Sequence, residues 1–311
     1  MPVAGISFHS NIKAPSILFV MMTPTTRRFS FLVLFFGLYA CTTYSTPDPT
    51  PLPASARSPV ILTASPLPAF TQTPLKCLSQ HGVLEMTSLE TKPVPLQFRV
   101  YLPPCYTTEI KRHYPVLYLL HGQTYAEDQW VRLGAPSTAD RLIVSGDVPP
   151  FIIVMPLDRS YAPTAGEYGQ ALIDQLVPYI DSNYRTLPDR RCRTIGGLSR
   201  GAAWAIHLGL THWETFGAFG AHSPALFYSD GNLLQEWLEV IPLGSWPRIF
   251  IDTGDRDKDL GFTRLFDDML TRHGVPHEWH IYTGGHDEAY WSSHVEEYLR
   301  WYAAGWDESD E

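Results

Sequence analysis

Lysine and arginine are scarce in this chain of 311 residues: 23 of them stand against 32 aspartates and glutamates, which leaves a formal net charge of −9 at pH 7. A protein that binds nucleic acid needs clustered positive charge to neutralise phosphates, so this composition argues against a nucleic-acid partner. Hydrophobic residues nevertheless make up 44% of the sequence. The chain therefore has enough apolar material for one large globular core.

Cysteine is also scarce, with four residues in the chain. A disulfide is stable outside the cytoplasm, and we predict a Cys77–Cys105 bond that joins the first segment of the domain to the end of an early strand. Cys192 stands at the entrance of a predicted strand, where we expect it to be a small buried hydrophobe. The fourth cysteine, Cys41, belongs to a different kind of segment.

The N-terminal apolar run is too short to span a bilayer, which takes about 20 residues. It covers Phe31–Ala40 and follows Arg27-Arg28, and this order of charged and apolar residues is typical of a secretory signal peptide. Leu38–Cys41 resembles a bacterial lipobox, in which the cysteine becomes lipidated. We therefore predict that residues 1–41 direct export and that Cys41 tethers the protein to a membrane.

Residues 42–76 are dominated by threonine, serine and proline. Such a tract cannot bury enough apolar surface to offset its chain entropy, so we predict a disordered, extended linker. A globular domain is expected over residues 77–305, followed by an acidic tail at 306–311. Met21 and Met22 are alternative starts of the chain.

Strand-type and helix-type patterns alternate along the domain. Strands are predicted at 97–102, 115–122, 151–156, 193–195, 218–221, 248–252 and 278–282, and helices at 138–145, 169–184, 202–208, 233–240, 262–273 and 294–303. The first of these strands ends in Pro103-Pro104, which is typical of an edge strand. This alternation predicts an α/β fold with a mostly parallel central sheet and helices on both faces. In such sheets, functional side chains collect at the carboxyl ends of the strands.

The central motif is Gly197-Leu198-Ser199-Arg200-Gly201, a Gly-x-Ser-x-Gly pattern. It is typical of a nucleophile elbow, in which a serine occupies a strained turn between a buried strand and a helix. The flanking sequence fits, because a predicted strand precedes the motif and a predicted helix follows it. Glycines at both outer positions are expected where strand and helix pass too closely for a Cβ atom.

A serine nucleophile needs a base to take its proton and a carboxylate to orient the base. In this kind of fold the acid and then the histidine follow the serine along the chain. Asp255 and Asp257 come directly after one predicted strand, and His286 follows the next. Because both loops lie at the same edge of the sheet as Ser199, we predict that the three groups converge, with Asp257 favoured over Asp255 as the acid.

The negative oxygen that develops during acyl transfer needs two donors already in place. We predict that these are the backbone N–H of Arg200, directly after the serine, and the backbone N–H of Gln123, in the loop after His121-Gly122. Four further side chains are candidates for the lining of a substrate pocket: Tyr125, Trp130, His222 and Trp291. Aromatic residues serve core packing more often than ligand binding, so structural placement has to decide their role.

A family resemblance rests on five ordered stretches: Val100–Pro104, Tyr114–Gly122, Val177–Ile180, Gly196–Gly201, and Gly285–Asp287 with Trp291. Over residues 95–300 the chain resembles the esterase D and feruloyl esterase-like branch of the α/β-hydrolase superfamily. The resemblance implies an α/β-hydrolase fold without a large cap domain. It also implies Ser199 as nucleophile, His286 as base and Asp257, in the Gly-x-x-Asp pattern, as acid.

The function expected from these features is hydrolysis of carboxylic esters through an acyl-enzyme intermediate, with no metal or other cofactor. The substrate would be a small-molecule or polysaccharide-linked ester, and the N-terminal anchor would be the contact with a membrane. An acyltransferase on the same scaffold is one alternative, because it differs only in whether water or an alcohol accepts the acyl group. A binding module on a non-catalytic hydrolase scaffold is the other.

Overall fold

The computed structural model describes residues 81–91, 95–159 and 166–306 of the chain. All of them belong to one compact unit, Ala69–Glu311. The predicted signal segment, the linker, Cys41 and Cys77 lie outside the described residues, as do residues 307–311. No helix in the described ranges has the length and apolar content that a membrane crossing requires.

An eight-stranded sheet forms the centre of the domain, with the strand order β1-β2-β4-β3-β5-β6-β7-β8. The strands are β1 (Val83–Leu89), β2 (Leu96–Leu102), β3 (Val116–Leu120), β4 (Ile152–Pro156), β5 (Arg193–Leu198), β6 (Ala218–His222), β7 (Arg248–Gly254) and β8 (Glu278–Tyr282). Strands β3 to β8 are parallel to one another, whereas β2 is antiparallel to both β1 and β4. The predicted α/β fold with a mostly parallel sheet is therefore confirmed.

The helices are α1 (Gln129–Arg132), α2 (Ala135–Ser145), α3 (Glu167–Ala171), α4 (Val177–Asn183), α5 (Arg200–Thr211), α6 (Leu234–Val240), α7 (Leu260–Arg272) and α8 (Glu288–Ala303). A π-helical segment, Leu172–Leu176, joins α3 to α4. Pro178 explains this wider turn, because proline cannot donate a backbone hydrogen bond and its ring collides with the carbonyl four residues earlier. A single helix predicted over 169–184 is thus observed as a continuous but irregular one.

Strand β2 is not at the edge of the sheet, so the edge assignment from Pro103-Pro104 is wrong. Both prolines follow the strand, and β1 pairs along the whole of β2. Strand β1 was not predicted, because most of its side chains are exposed, including Val83 and Met86. A strand without a buried face has no hydrophobic alternation from which to predict it.

The core has two layers, one on each face of the sheet. Strand β3 illustrates both, because Val116, Tyr118 and Leu120 belong to one hydrophobic cluster while Leu117 and Leu119 belong to the other. All five side chains are buried. A strand buried on both faces reads as an unbroken apolar run, which is why this part of the sheet could be predicted.

Three further sequence expectations concern the two cysteines of the described domain and its C-terminal boundary. Cys105 is disulfide-bonded, while its predicted partner Cys77 lies outside the described residues. Cys192 is free and only partly buried in a 3₁₀ turn before β5, so it is not the buried hydrophobe expected. Trp306, assigned to the acidic tail, packs in the core with its ring centroid 5.1 Å from that of Phe151; the packed domain therefore extends through residue 306.

The elbow between β5 and α5 depends on two glycines. A Cβ atom on Gly197 would lie 2.3 Å from the carbonyl carbon of Gly201, and a Cβ atom on Gly201 would lie 2.1 Å from the carbonyl oxygen of Leu120. Both contacts are with backbone, which cannot rotate away as a side chain can. The first turn of α5 therefore rests directly on β3 and β5.

We predict that Gly201→Ala destabilises the domain by about 3 kcal/mol or more, because a methyl group would force helix and strand apart. Gly261→Ala is the matched control, since Gly261 lies in the first turn of α7 with open space around it, and alanine there should stabilise the helix by up to about 1 kcal/mol. Urea unfolding of both variants measures the difference. A Gly201→Ala protein as stable as the wild type would contradict this account of the elbow.

Candidate active site

Ser199 lies at the carboxyl end of β5, at the turn into α5. Its backbone has φ 54° and ψ −116°, a conformation that non-glycine residues rarely adopt. The turn is held by a hydrogen bond from the Ser199 N–H to the carbonyl of His222 at 2.9 Å. This strained backbone conformation directs the serine side chain beyond the carboxyl ends of the parallel strands, as the Gly-x-Ser-x-Gly pattern predicts.

Ser199, His286 and Asp257 meet beyond the carboxyl ends of these strands. The hydroxyl oxygen of Ser199 lies 2.8 Å from Nε2 of His286, and both carboxylate oxygens of Asp257 lie 3.0 Å from Nδ1 of the same ring. The imidazole comes from the loop after β8 and the carboxylate from the loop after β7. Three side chains far apart in sequence thus form one hydrogen-bonded chain of hydroxyl, imidazole and carboxylate.

Asp255, the alternative acid, lies in a different place. Its carboxylate accepts a hydrogen bond from the N–H of Gly284 at 3.0 Å and is about half exposed, whereas the Asp257 side chain has no exposed surface. Asp255 therefore joins the β7 and β8 loops to each other, and Asp257 is the carboxylate that reaches the imidazole of His286.

Asp257 is held in its ionised form. Burial raises the pKa of its carboxyl group, but hydrogen bonds from His286, from the backbone N–H of Asp259 and from Ser223 outweigh burial and leave the pKa below its ordinary value. An ionised carboxylate can only accept hydrogen bonds, so Nδ1 of His286 must carry a proton. Nε2 is then the ring nitrogen that can accept the proton of Ser199.

Asp259 is a residue that the sequence did not single out. Its Oδ2 lies 3.6 Å from Nδ1 of His286 and 3.4 Å from the ammonium group of Lys258. Ligand atoms of Asp257, Asp259 and His286 lie within 4.8 Å of one another, a spacing that a metal ion could use. Both ring nitrogens of His286 already have partners in the hydroxyl–imidazole–carboxylate chain, and that chain accounts for the arrangement of the three residues.

The predicted oxyanion donors lie on two adjacent strand ends. Arg200 is the first residue of α5, and Gln123 is in the loop after β3, the neighbour of β5. That loop is fixed by the side chain of Gln129, which accepts from the N–H of Gly122 at 2.8 Å and donates to Glu288 at 3.2 Å. Both backbone positions lie at the same end of the parallel strands as the Ser199 hydroxyl, and their role as oxyanion donors stays a prediction.

A buried polar network, also not foreseen, connects these strand ends. Nδ1 of His121 donates to the carbonyl of Gly122 at 2.7 Å, and Nε2 accepts from the N–H of Asp158 at 2.9 Å. The carboxylate of Asp158 in turn accepts from Nε of Arg200 at 3.0 Å and from the indole of Trp204 at 2.8 Å. The ends of β3 and β4 are thereby linked to the first turns of α5.

An open cavity of about 690 Å³ lies beside these loops. Its lining is Thr124, Tyr125, Ala126, Asp128, Arg132, Leu157 and Arg159. Of the four predicted pocket residues, Tyr125 is on this wall, with its ring 5.3 Å from the guanidinium carbon of Arg132. The cavity therefore has one aromatic side chain, Tyr125, on its wall. It lies at the carboxyl ends of the parallel strands, where Ser199 also lies.

His222 does not line a pocket, because its side chain is completely buried beneath the elbow. Nδ1 donates to Asp252 at 2.6 Å, Nε2 lies 3.0 Å from the hydroxyl of Tyr302, and the ring stacks on Tyr298 with centroids 3.6 Å apart. The assignment of His222 to the substrate pocket is wrong. It is a core histidine whose ring nitrogens are both satisfied.

Trp130 is likewise a core residue. Only 1% of it is exposed, and its indole N–H donates to the carbonyl of Leu120 at 3.0 Å, so its assignment to the pocket is also wrong. Trp291 is 2% exposed and sits behind the base, with its ring centroid 5.1 Å from that of His286 at an angle of 81°. It supports the site from within the core and leaves substrate contact to other residues.

Comparison with known proteins points to one family. The “Putative esterase” family profile matches residues 90–302. An endo-1,4-beta-xylanase/feruloyl esterase of Xylanibacter ruminicola is 32% identical over 201 residues, which covers 58% of this chain and 27% of the relative. Esterase Rv1288 of Mycobacterium tuberculosis is 29% identical over 243 residues, covering 60% of this chain and 51% of the relative. The chain thus spans about a quarter and about half of the length of these relatives.

Solved structures agree with that comparison. A ferulic acid esterase shares 27% identity and a TM-score of 0.66 with this chain, covering 72% of it and 98% of the esterase. The S-formylglutathione hydrolase FrmB of Staphylococcus aureus shares 18% identity and a TM-score of 0.58, covering 72% of this chain and all of that protein. At that lower identity the likeness shows the fold alone, and the fold is the α/β-hydrolase fold.

The His121 network gives a prediction about pH. Burial lowers the pKa of His121, so the unfolded chain takes up a proton at this site before the folded protein does. Its contribution to stability is therefore complete above about pH 6.5, the ordinary histidine pKa, and is lost as the pH falls below it. We predict that His121→Gln, which cannot titrate, reduces the loss of unfolding free energy between pH 7.5 and pH 5.

Urea unfolding at several pH values measures this effect. The matched control is His113→Gln, at an exposed histidine, whose stability curve should run parallel to that of the wild type. At pH 7.5 the His121→Gln protein should be less stable by about 1 kcal/mol, because the hydrogen bond to Gly122 is lost. A curve for His121→Gln that parallels the wild type over the whole range would refute the prediction.

Proposed function

The chain belongs to the “Putative esterase” family, and from that premise we propose that it is a serine esterase that hydrolyses carboxylic esters through an acyl-enzyme intermediate. The observation that carries the proposal is the 2.8 Å contact between the Ser199 hydroxyl and Nε2 of His286. A serine hydroxyl with an imidazole acceptor at this distance, itself oriented by a carboxylate, is the arrangement that activates a serine nucleophile.

In the acylation step, Oγ of Ser199 attacks the ester carbonyl carbon while Nε2 of His286 takes the hydroxyl proton. The oxyanion of the tetrahedral intermediate accepts hydrogen bonds from the backbone N–H groups of Arg200 and Gln123. When the carbon–oxygen bond to the alcohol breaks, His286 returns the proton to the leaving alkoxide. The products of this step are the free alcohol and Ser199 esterified with the acid.

Deacylation repeats the sequence with water. His286 takes a proton from water as the water oxygen attacks the acyl carbon, and then returns it to Oγ of Ser199 as the ester bond to serine breaks. Asp257 accepts from Nδ1 throughout, which fixes the ring and stabilises the imidazolium that forms in each step. The released acid and the regenerated hydroxyl balance the water consumed.

For the substrate we propose esters of an aromatic acid of the ferulic type, as small molecules or attached to a polysaccharide. The support is the 32% identity with the Xylanibacter endo-1,4-beta-xylanase/feruloyl esterase and the 27% identity with the ferulic acid esterase structure. The neighbouring cavity adds support through Tyr125 on its wall, since an aromatic side chain can stack on an aromatic acid; Ser199 and His286 are not among its lining residues.

The location of the enzyme is part of the same proposal. The signal-type segment and Cys41 favour an exported protein tethered to a membrane. A long proline-rich linker would let the catalytic domain reach an insoluble polysaccharide while remaining anchored.

The nucleophile can be tested with a chromogenic feruloyl ester. With a good leaving group, acylation is faster than hydrolysis of the acyl-enzyme, so the wild type should give a burst of released alcohol that approaches the enzyme concentration. Ser199→Ala should abolish the burst and lower kcat/KM by several orders of magnitude. A fluorophosphonate should label the wild type and leave the variant unlabelled.

Ser292→Ala is the matched serine control. Ser292 is exposed and its hydroxyl donates to the carbonyl of Ala289 at 3.2 Å, so the kinetics and labelling of this variant should equal those of the wild type. Wild-type protein that neither hydrolyses the ester nor reacts with the fluorophosphonate would overturn the proposed function. Full turnover by Ser199→Ala would remove Ser199 from its role.

The two aspartates give a second test. Asp257→Asn should lower kcat by about 10³- to 10⁴-fold, because an amide can donate to Nδ1 and so favour the wrong tautomer of His286. Asp255→Asn should stay within about threefold of the wild type, since the asparagine oxygen can still accept from the N–H of Gly284. Steady-state kinetics on the same ester compare them. Equal losses in the two variants would contradict the assignment of Asp257.

A further inference from the structure

Asp259 stands at the N-cap position of α7, directly before Leu260. Aspartate is common at such positions because its carboxylate usually accepts a hydrogen bond from a backbone N–H in the first turn of the helix. The side chain of Asp259 makes no hydrogen bond of that kind. The capping of α7 therefore does not explain the direction of this carboxylate.

The main chain of Asp259 is fixed on both sides. Its N–H donates to Oδ1 of Asp257 at 2.8 Å, and its carbonyl accepts from the N–H and from the hydroxyl of Thr263, both at 3.1 Å. These bonds use only backbone atoms of Asp259, so a change of its side chain leaves them in place. They hold the carboxylates of Asp257 and Asp259 close together in the loop between β7 and α7.

Oδ2 of Asp259 is a buried oxygen next to the base. It lies 3.6 Å from Nδ1 of His286, and in the described part of the chain it has no hydrogen-bond partner. At this distance the contact with Nδ1 is Coulombic, because a hydrogen bond would be shorter. The side chains of Asp259 and His286 are only 14% and 15% exposed, so water screens their interaction weakly.

The second charged neighbour of Oδ2 is the ammonium group of Lys258, at 3.4 Å. The side chain of Lys258 is 71% exposed, and an ion pair that reaches so far into solvent contributes little. A buried carboxylate oxygen without a hydrogen bond is costly. That cost falls when a positive charge forms on the imidazole beside it, which happens each time His286 takes a proton in the proposed reaction.

We propose that Asp259 is a positioning residue for the hydrolytic reaction: its buried Oδ2 adds a second negative charge beside Nδ1 of His286 and stabilises the imidazolium together with Asp257. This inference rests on the proposed function. Asp257 sets the tautomer and the orientation of the ring through its hydrogen bond, whereas Asp259 contributes charge and acts through His286. Loss of that charge should lower kcat and leave KM unchanged.

The other charged groups on the adjoining turns have partners of their own. Within the described residues, Asp257 and Asp259 are the carboxylates that lie within 4.0 Å of a ring nitrogen of His286. The elbow and α8 present uncharged groups to the ring, the Ser199 hydroxyl and the indole of Trp291. Three further carboxylates accept from other groups: Asp255 from the N–H of Gly284, Asp287 from the N–H of Tyr290, and Glu288 from Arg132.

Asp259→Asn removes the charge and keeps the shape of the side chain. The kcat on the feruloyl ester should fall by about three- to tenfold, with KM within about twofold of the wild type. The acid limb of kcat/KM against pH should move about 0.5 pH units lower, because the imidazolium of the free enzyme loses a negative neighbour and releases its proton more readily. A role in folding alone would lower activity without moving this limb.

Asp255→Asn is the matched control, since it removes the same charge from the same loop at a carboxylate that bonds to the N–H of Gly284. Its acid limb should stay within about 0.2 pH units of the wild type, because an exposed charge is screened. A carbon-13 NMR titration of His286 measures the same difference without substrate. The midpoint should be lower in Asp259→Asn and unchanged in Asp255→Asn.

The results that would overturn this proposal differ from those that would overturn the function. An acid limb and a titration midpoint equal to those of the wild type in Asp259→Asn overturn it even where kcat falls, and so does an unchanged kcat. Equal shifts in Asp255→Asn also overturn it, because the overall charge of the loop would then suffice. Wild-type protein without esterase activity overturns the proposed function, and the NMR titration still decides whether Asp259 acts on His286. Should Asp259→Asn fail to fold, Asp259→Ser is judged by the same criteria.

Discussion

The close contact of α5 with β3 and β5 is the constraint on which the rest of the site depends. Gly197 and Gly201 remove the Cβ atoms that would otherwise meet backbone within 2.3 Å. Because the helix can come this near, its first turn begins directly at the end of β5, and Ser199 has to adopt a positive φ to connect them. The position of the Ser199 nucleophile and the position of the helix N-terminus beside it therefore both result from this one packing contact.

The other functional loops are positioned by polar groups buried under the sheet edge. Asp252, at the end of β7, accepts from His222 and from the hydroxyls of Tyr290 and Tyr298 at 2.6 to 2.8 Å. The two tyrosines belong to α8, so the helix that carries Trp291 is fixed relative to the strands on which Ser199 and Asp257 depend. An unpaired buried carboxylate would be costly. Each donor to Asp252 therefore sets the orientation of an element as well as satisfying a charge.

Features with a local or periodic cause could be predicted from the sequence, and features with a conformational or long-range cause could not. The buried strands are continuous apolar runs, and the elbow is defined within five residues. The fold, Ser199 and His286 could therefore be predicted from the sequence. Strand β1 was missed because it has no buried face. The network of His121, Asp158 and Arg200 was missed because its hydrogen bonds join residues distant in sequence. His222 shows the reverse case, in which residue type suggested a pocket and burial assigned it to the core.

Three buried carboxylates lie near the elbow: Asp158 follows β4, Asp252 lies within β7, and Asp257 is in the loop after β7. Burial makes a carboxylate depend on its donors. Asp158 and Asp252 each accept from at least two side chains of other elements, and Asp257 accepts from His286 and from the backbone N–H of Asp259. A small shift of a strand end would break a hydrogen bond that water cannot replace in the core. Displacing the loops relative to one another would therefore cost much free energy. This high cost of displacement suits the proposed proton transfer between Ser199 and His286, because the transfer requires the reacting atoms to be held within a fraction of an ångström. Stability in this part of the domain is thus inseparable from the precision of the site, since the same hydrogen bonds provide both.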